Sequence, residues 1–251
     1  MDGVSLGARF SLATSRLQYC GPDGADRLLY RAATTPDGHA EARNALAQFE
    51  ALYPYLELIG AKHGLDPFDA RVVGAYWLGN DLLDPFERAD FVRLLDRLVQ
   101  RGLPRALARR LADHLPARPL PHHAFHVSFV GVGNVTGHVP TTLANMQSCR
   151  PAWGPVVARD ARSITLDLAP LEWDGRRLSL GAPQPASFER DPGLLPELAV
   201  GDEVAVHWRT AGLRLTGEQV DALRRYTALS LDAASEALPR LGVLPRTGVP
   251  P

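Results

Sequence analysis

Apolar positions recur at helical spacing through the first half of the chain and at period two through parts of the second. From His39 onward, AEARNALAQFEALYPYLELIGAKHG sets Leu46, Phe49, Leu52, Leu56 and Ile59 at helical spacing, which predicts one long helix bent at Pro54. Asp66-Pro67 and Asp84-Pro85 each place a side-chain acceptor just before a proline, so each is expected to open a helix. The first of these presents Val72, Val73, Tyr76 and Trp77 on one side. The second presents Phe91, Leu94, Leu95 and Leu98 and stops at Gly102. A further helix begins at Pro104 and runs toward His114. Residues 1 to about 35 carry Gly, Pro and Thr clusters and read as loop, with one short helix near Asp26 to Arg31.

Pro116, Pro119 and Pro121 end the helical pattern. In the following HHAFHVSFVGVGNVTGHVP, Phe125, Val127 and Phe129 alternate with Ala124, His126, Ser128 and Val130, which predicts a histidine-rich strand. Beyond Cys149 come short strand-like runs at Pro155 to Arg159 and Ser163 to Leu168, then a hairpin of Leu171 to Trp173 and Arg177 to Leu180 turning at Asp174-Gly175. Glu203 to Trp208 is a further strand. Thr216 and Gln219 form a capping box ahead of Val220, Leu223, Tyr226 and Leu229, so a helix follows. The expected fold class is α+β: an α-helical domain over 1–117, a His-rich strand and linker over 118–146, a small β-barrel plus helix over 147–236, and a Pro/Gly-rich tail over 237–251.

Composition narrows the function. Lys+Arg 27 against Asp+Glu 28 leaves a formal charge of −1, so no global field recruits nucleic acid or an acidic membrane surface. No segment offers ~18 uninterrupted apolar residues, and the start MDGVSLGARF lacks the pattern of a signal peptide, so a cytoplasmic protein is expected. Cys20 and Cys149 are the only cysteines, and in an intracellular chain they predict thiols rather than a structural disulfide.

His122, His123, His126 and His138 crowd one short stretch and invite a metal-site reading. On a strand rising ~3.3 Å per residue, His122 and His126 share a face but stand roughly 13 Å apart, too far to chelate one ion locally. One of them would have to meet a cysteine brought close by folding, and His126, set between Phe125 and Val127, is the one expected to be held rigidly.

Two segments make the reading specific. MQSCRPAWGPVV, Met146 to Val157, and VGDEVAVHWRTAGLRLTGEQV, Val200 to Val220, together resemble the HypC-type chaperones of [NiFe]-hydrogenase maturation. Cys149 and Gly154 keep that family's initial cysteine-to-glycine spacing. Val200, Gly201, Asp202, Val204, Val206, His207 and Ala211 keep its later segment. The resemblance implies a HypC-like, OB-like β-barrel with a C-terminal helix. It also implies a metallocentre assembly accessory protein that binds or transfers an iron fragment bearing CN and CO ligands through Cys149, with His207 and Gly154 supporting the site. Its partners would be a hydrogenase large subunit or other maturation proteins, and its role that of a chaperone without turnover.

The chain departs from that pattern in three places. Cys149 is internal, so no free α-amine can join in ligation; Trp153 stands before the glycine where the family usually has proline; and Arg209-Thr210 interrupts the glycine after the histidine. Cys20, in the turn Tyr19 to Pro22, is the expected second thiolate, with His123, His126 or His138 as an auxiliary base or ligand. Two other readings stay open: a His/Cys metal-dependent enzyme acting on a small molecule, and a metal-free protein-interaction module.

Overall fold

The computed structural model describes residues 1–241. Its first element is a helix, α1 (Gly3–Arg16), in the region read as loop. Small residues explain both facts. Gly3, Gly7, Ala8, Ser11, Ala13 and Thr14 lack the large apolar stripe that marks a surface helix, yet they are buried, because α1 runs through the middle of the molecule. A Cβ on Gly3 would lie 2.2 Å from the Phe68 carbonyl oxygen, so the close approach of backbone there requires glycine.

The helices α2 (Ala25–Thr34), α3 (His39–Leu46) and α4 (Leu52–His63) follow. The single bent helix expected from His39 is thus two helices. Pro54 falls in the first turn of α4, where a missing N–H costs nothing, so it marks a beginning rather than a bend. Both Asp-Pro starts also lie a few residues early. Helix α5 (Ala70–Trp77) is capped by Asp69, whose side chain accepts from the Arg71 N–H at 2.8 Å, and α6 (Arg88–Gln100) opens with a capping box between Glu87 and Asp90. Helix α6 ends before Gly102, and α7 (Arg105–Asp113) starts after Pro104, as the pattern predicts.

The histidine-rich segment is not a strand. It is a short helix, α8 (His123–Phe125), that widens directly into a π-helix, His126–Gly131. Every residue from His122 to Val132 is buried, so apolar side chains point in all directions and their period-two spacing in sequence carries no facial information. The strand geometry that kept the histidines apart therefore does not apply. Helix α9 (Leu143–Cys149), capped by Thr142, delivers Cys149 at its last residue.

Five strands form a mixed sheet: β1 (Ala152–Arg159), β2 (Ser163–Leu168), β5 (Gln184–Glu189), β6 (Glu203–His207) and β7 (Thr210–Arg214). They pair in the order β1-β2-β5-β7-β6, and β6 pairs back to β1. One parallel pair, Glu189 with Thr210, joins β5 to β7. The hairpin β3 (Leu171–Trp173) and β4 (Leu178–Leu180) turns at Asp174-Gly175 as expected. Strands β5 and β7 were not predicted. The first is largely solvent-facing and the second is the short sequence TAGLR, so neither shows a strong alternation.

The last helix, α10 (Gly217–Leu241), carries the expected capping box, with Thr216 N donating to Gln219 Oε1 at 2.9 Å and Gln219 N donating to Thr216 Oγ1 at 3.3 Å. It runs through Pro239 into the stretch read as tail, because Ala237, Leu238 and Leu241 are buried and their packing outweighs one lost backbone bond. The remainder of that tail, 242–251, lies outside the described residues. Among the described residues no helix is long and apolar enough to cross a membrane.

One apolar core runs from Val4 on α1 to Leu241 on α10 and crosses the boundaries drawn from sequence at 117, 146 and 236. Arg9 on α1 reinforces this junction by donating to the carbonyls of Leu194 and Gly212, both at 2.8 Å. Gly154 matters for a related reason. A Cβ there would lie 2.1 Å from the Asp167 carbonyl oxygen, so the crossing of β1 over the end of β2 needs a residue without a side chain. Gly154→Ala is expected to lower stability by about 1–3 kcal/mol in urea unfolding; unchanged stability would mean the two backbones separate freely.

Candidate metal centre

Three elements converge on one buried point. The first turn of α8 supplies His123, the end of α9 supplies Cys149, and the end of β6 supplies His207. One ligand atom from each lies within 4.8 Å of the others, and all three residues are buried. His123 Nε2 is 3.6 Å from Cys149 Sγ and 3.0 Å from the Cys149 carbonyl oxygen. Of the histidines in the crowded segment, His123 meets the cysteine.

The unused nitrogens are fixed by neighbours. His207 Nδ1 donates to the Phe10 carbonyl at 2.6 Å, which leaves Nε2 as a lone pair, buried and without a hydrogen-bond partner among the described residues. The Tyr76 hydroxyl lies 2.7 Å from His123 Nδ1. Since a hydroxyl can donate or accept, Tyr76 supports either tautomer of His123 and so permits Nε2 to be freed for a ligand. Trp77 packs against both imidazoles, with ring centroids 4.3 Å from His123 and 5.1 Å from His207.

Burial sets the protonation states. It holds His123 well below the usual imidazole range, helped by His207, His126 and His122, and it pushes His207 down to about 4 against the pull of the Phe10 and Cys149 carbonyls. Both rings are therefore neutral at pH 7. Burial drives the Cys149 thiol well above its ordinary value, with Cys20 adding to the effect and the Trp208 indole N–H opposing it. The protein thus presents one free imidazole lone pair on His207, a second on His123 once its Nε2 leaves the Cys149 carbonyl and the proton moves to the Tyr76 side, and one thiol whose charge is disfavoured unless a cation arrives to share it.

The other residues singled out in the sequence occupy different places. His126 is buried and its Nδ1 is 3.0 Å from the Tyr55 hydroxyl, with its ring centroid 6.0 Å from that of His123. It stands behind the three-residue group, outside it. Burial pushes it down to about 4. His138 is exposed, in the loop between the π-helix and α9, and does not approach the group. Cys20 is partly buried in the turn after α1, its thiol pushed up to about 12 by burial and by Glu50, and it too lies outside the group. His122 accepts from the Ala124 N–H at 3.2 Å, which makes it the cap of α8. Gly154 acts through the β1–β2 crossing described above.

The sequence offers Tyr53, Tyr55, Tyr76 and Trp77 as a group that could line a pocket over the site but favours ordinary core packing for them, and it gives no sign of Trp208. Tyr55, Tyr76 and Trp77 are core. No sequence signal marks their hydroxyl and ring contacts with histidines that lie 46 or more positions away. Trp208 has φ 53°, a left-handed value that a bulky residue adopts at a cost. Its backbone N–H donates to the Ser148 carbonyl at 2.5 Å, and its ring packs on Tyr19 with centroids 4.7 Å apart. The strained turn between β6 and β7 thereby lays an indole beside Cys149, and Tyr19 covers it.

No curated protein and no solved structure matches the chain. Residues 1–240 match the family described as DUF6390, a family of unknown function, and the chain belongs to that family.

Proposed function

We propose that the protein is an accessory factor for metallocentre assembly that holds an iron fragment through Cys149, His207 and His123, in the maturation of a [NiFe] hydrogenase. The observation that carries this reading is the His207 Nε2 lone pair: buried, without a hydrogen-bond partner among the described residues, and grouped within 4.8 Å of a thiol and a second imidazole. A buried acceptor left without a donor costs about 1–3 kcal/mol. A metal ion repays that cost directly. The donor set of one thiolate and two imidazoles suits iron, zinc and copper, and the soft thiolate favours a low-spin iron carrying π-acceptor ligands.

The resemblance to the HypC-type chaperones supports the hydrogenase assignment, because Cys149 and His207 are matched positions of its two segments. The sheet gives further support. Its pairings close from β6 back to β1, as an OB-like barrel requires, and a helix follows the last strand. On this reading His123 takes the place left by the missing α-amine: an internal cysteine has no free amino group, and α8 brings an imidazole to the same point. The iron fragment is cargo. It arrives from a maturation partner and leaves to the hydrogenase large subunit, with Trp208 and Tyr19 as the cover that must move for it to pass.

Anaerobic purification followed by metal analysis and infrared spectroscopy tests the reading. Iron with bands in the CN and CO stretching region is expected in the native protein. Cys149→Ala should lose the iron while keeping native far-UV circular dichroism, and Cys20→Ser should retain it. Iron that survives Cys149→Ala, or stoichiometric zinc with no such bands, would count against the assignment.

Proton release gives a second check. Because both histidines are already neutral and only the thiol must ionise, loading the metal-free protein with a divalent cation near pH 7 should release about one proton per ion. Affinity should therefore rise about tenfold per pH unit between pH 6 and 8. Release of two or three protons, measured in weakly buffered solution, would show that the imidazoles start out charged.

A further inference from the structure

Arg150 follows Cys149 directly and is 2% exposed. Its Nε donates to Gln147 Oε1 at 3.0 Å, and one terminal nitrogen donates to the Ala169 carbonyl. These bonds use two of the five N–H donors of a guanidinium. Both acceptors are neutral. Among the described residues no carboxylate comes within 4 Å of Arg150, whereas Asp90, 3% exposed, is held by Lys62 and Arg93. A buried cation with no counter-charge is one of the more costly arrangements in a fold.

The same guanidinium lines a pocket of about 270 Å³ between β1, the end of β2 and α10, where Trp153, Asp167, Glu203 and Arg224 also face. Arg224 sits at the exposed rim and is paired with Asp221 at 2.9 Å. Glu203 presents Oε2 buried and without a hydrogen-bond partner among the described residues. The pocket thus offers an unneutralised cation and an unsatisfied acceptor, with an indole as wall. Asp167 makes the remainder mildly acidic, which disfavours a highly charged anion.

We propose that this pocket binds a small carboxylate that also carries an N–H donor, the simplest member of the class being an α-amino acid. The carboxylate takes the free N–H fork of Arg150, and the donor meets Glu203. Planar bidentate pairing of this kind is what arginine recognises best. The pocket is distinct from the metal centre: none of His123, Cys149 and His207 lines it.

A ligand-observed NMR titration of the full-length, metal-free protein at constant ionic strength tests this, with glycine, acetate, methylammonium and inorganic phosphate as probes. Glycine should bind saturably and more tightly than acetate, and methylammonium should not bind. Arg150→Gln should weaken glycine binding at least about tenfold. Since that substitution disturbs a buried site, Ala169→Leu provides the second variant: it fills the pocket and keeps the backbone carbonyl that Arg150 uses, and it should abolish binding with circular dichroism unchanged. Saturable glycine binding that persists in Ala169→Leu, phosphate binding tighter than glycine, or no saturable binding of any carboxylate would overturn the proposal. Iron content measured in Ala169→Leu stays at the native level on this account, so failure here and failure of the metal reading are separately visible.

Discussion

A neutral imidazole sealed from water ties this molecule together. His123 is held at one nitrogen by Tyr76 from the helical layer and at the other by the carbonyl of Cys149, which leads into the sheet. Both contacts would also serve a protonated ring, and the Cys149 carbonyl favours one, so it is burial that keeps the ring uncharged. The surrounding architecture follows from keeping that point dry. Helix α1 runs through the centre, Trp77 roofs the imidazoles, and the β6–β7 turn accepts a left-handed tryptophan to close the side facing solvent. A site built for solvent exchange would not need this much covering.

Much of the scaffold is legible from the sequence where a local rule decides the outcome. Gly102 ends α6, Asp174-Gly175 turns the β3–β4 hairpin, and Thr216 with Gln219 starts α10. The reading breaks where burial is complete on all sides. Helix α1 buries Gly, Ala, Ser and Thr positions beside its larger apolar ones, and the histidine segment buries polar and apolar residues alike, so neither shows the one-sided pattern that hydrophobic periodicity detects. Mistaking the second for a strand moved the histidines apart and made His126 look better placed than His123. A helical turn reverses that ranking, because it points His123 toward α9 and β6 and leaves His126 facing Tyr55.

Cys149 and His207 were legible as a pair only through their resemblance to a family whose cysteine carries the cargo, with His207 expected to support it. Their spacing in sequence contains no metal signature, and 57 intervening positions had to fold before a thiol and an imidazole could meet. His123 had no comparable signal. Its role rests on the helical turn that begins at His122, whose own side chain caps that turn. The fused helical half is therefore more than an appendage. On the reading developed above it contributes a third donor and the phenol that orients it, which a free-standing small chaperone would have to obtain from its own terminus or from a partner.

The central claim is that one sulfur and two imidazole nitrogens, from Cys149, His123 and His207, bind a single ion. X-ray absorption of the protein loaded with one equivalent of zinc measures that set directly. The account predicts one sulfur scatterer at about 2.3 Å and two imidazole nitrogens at about 2.0–2.1 Å. A first shell of light atoms alone, or one with two sulfurs, would contradict it.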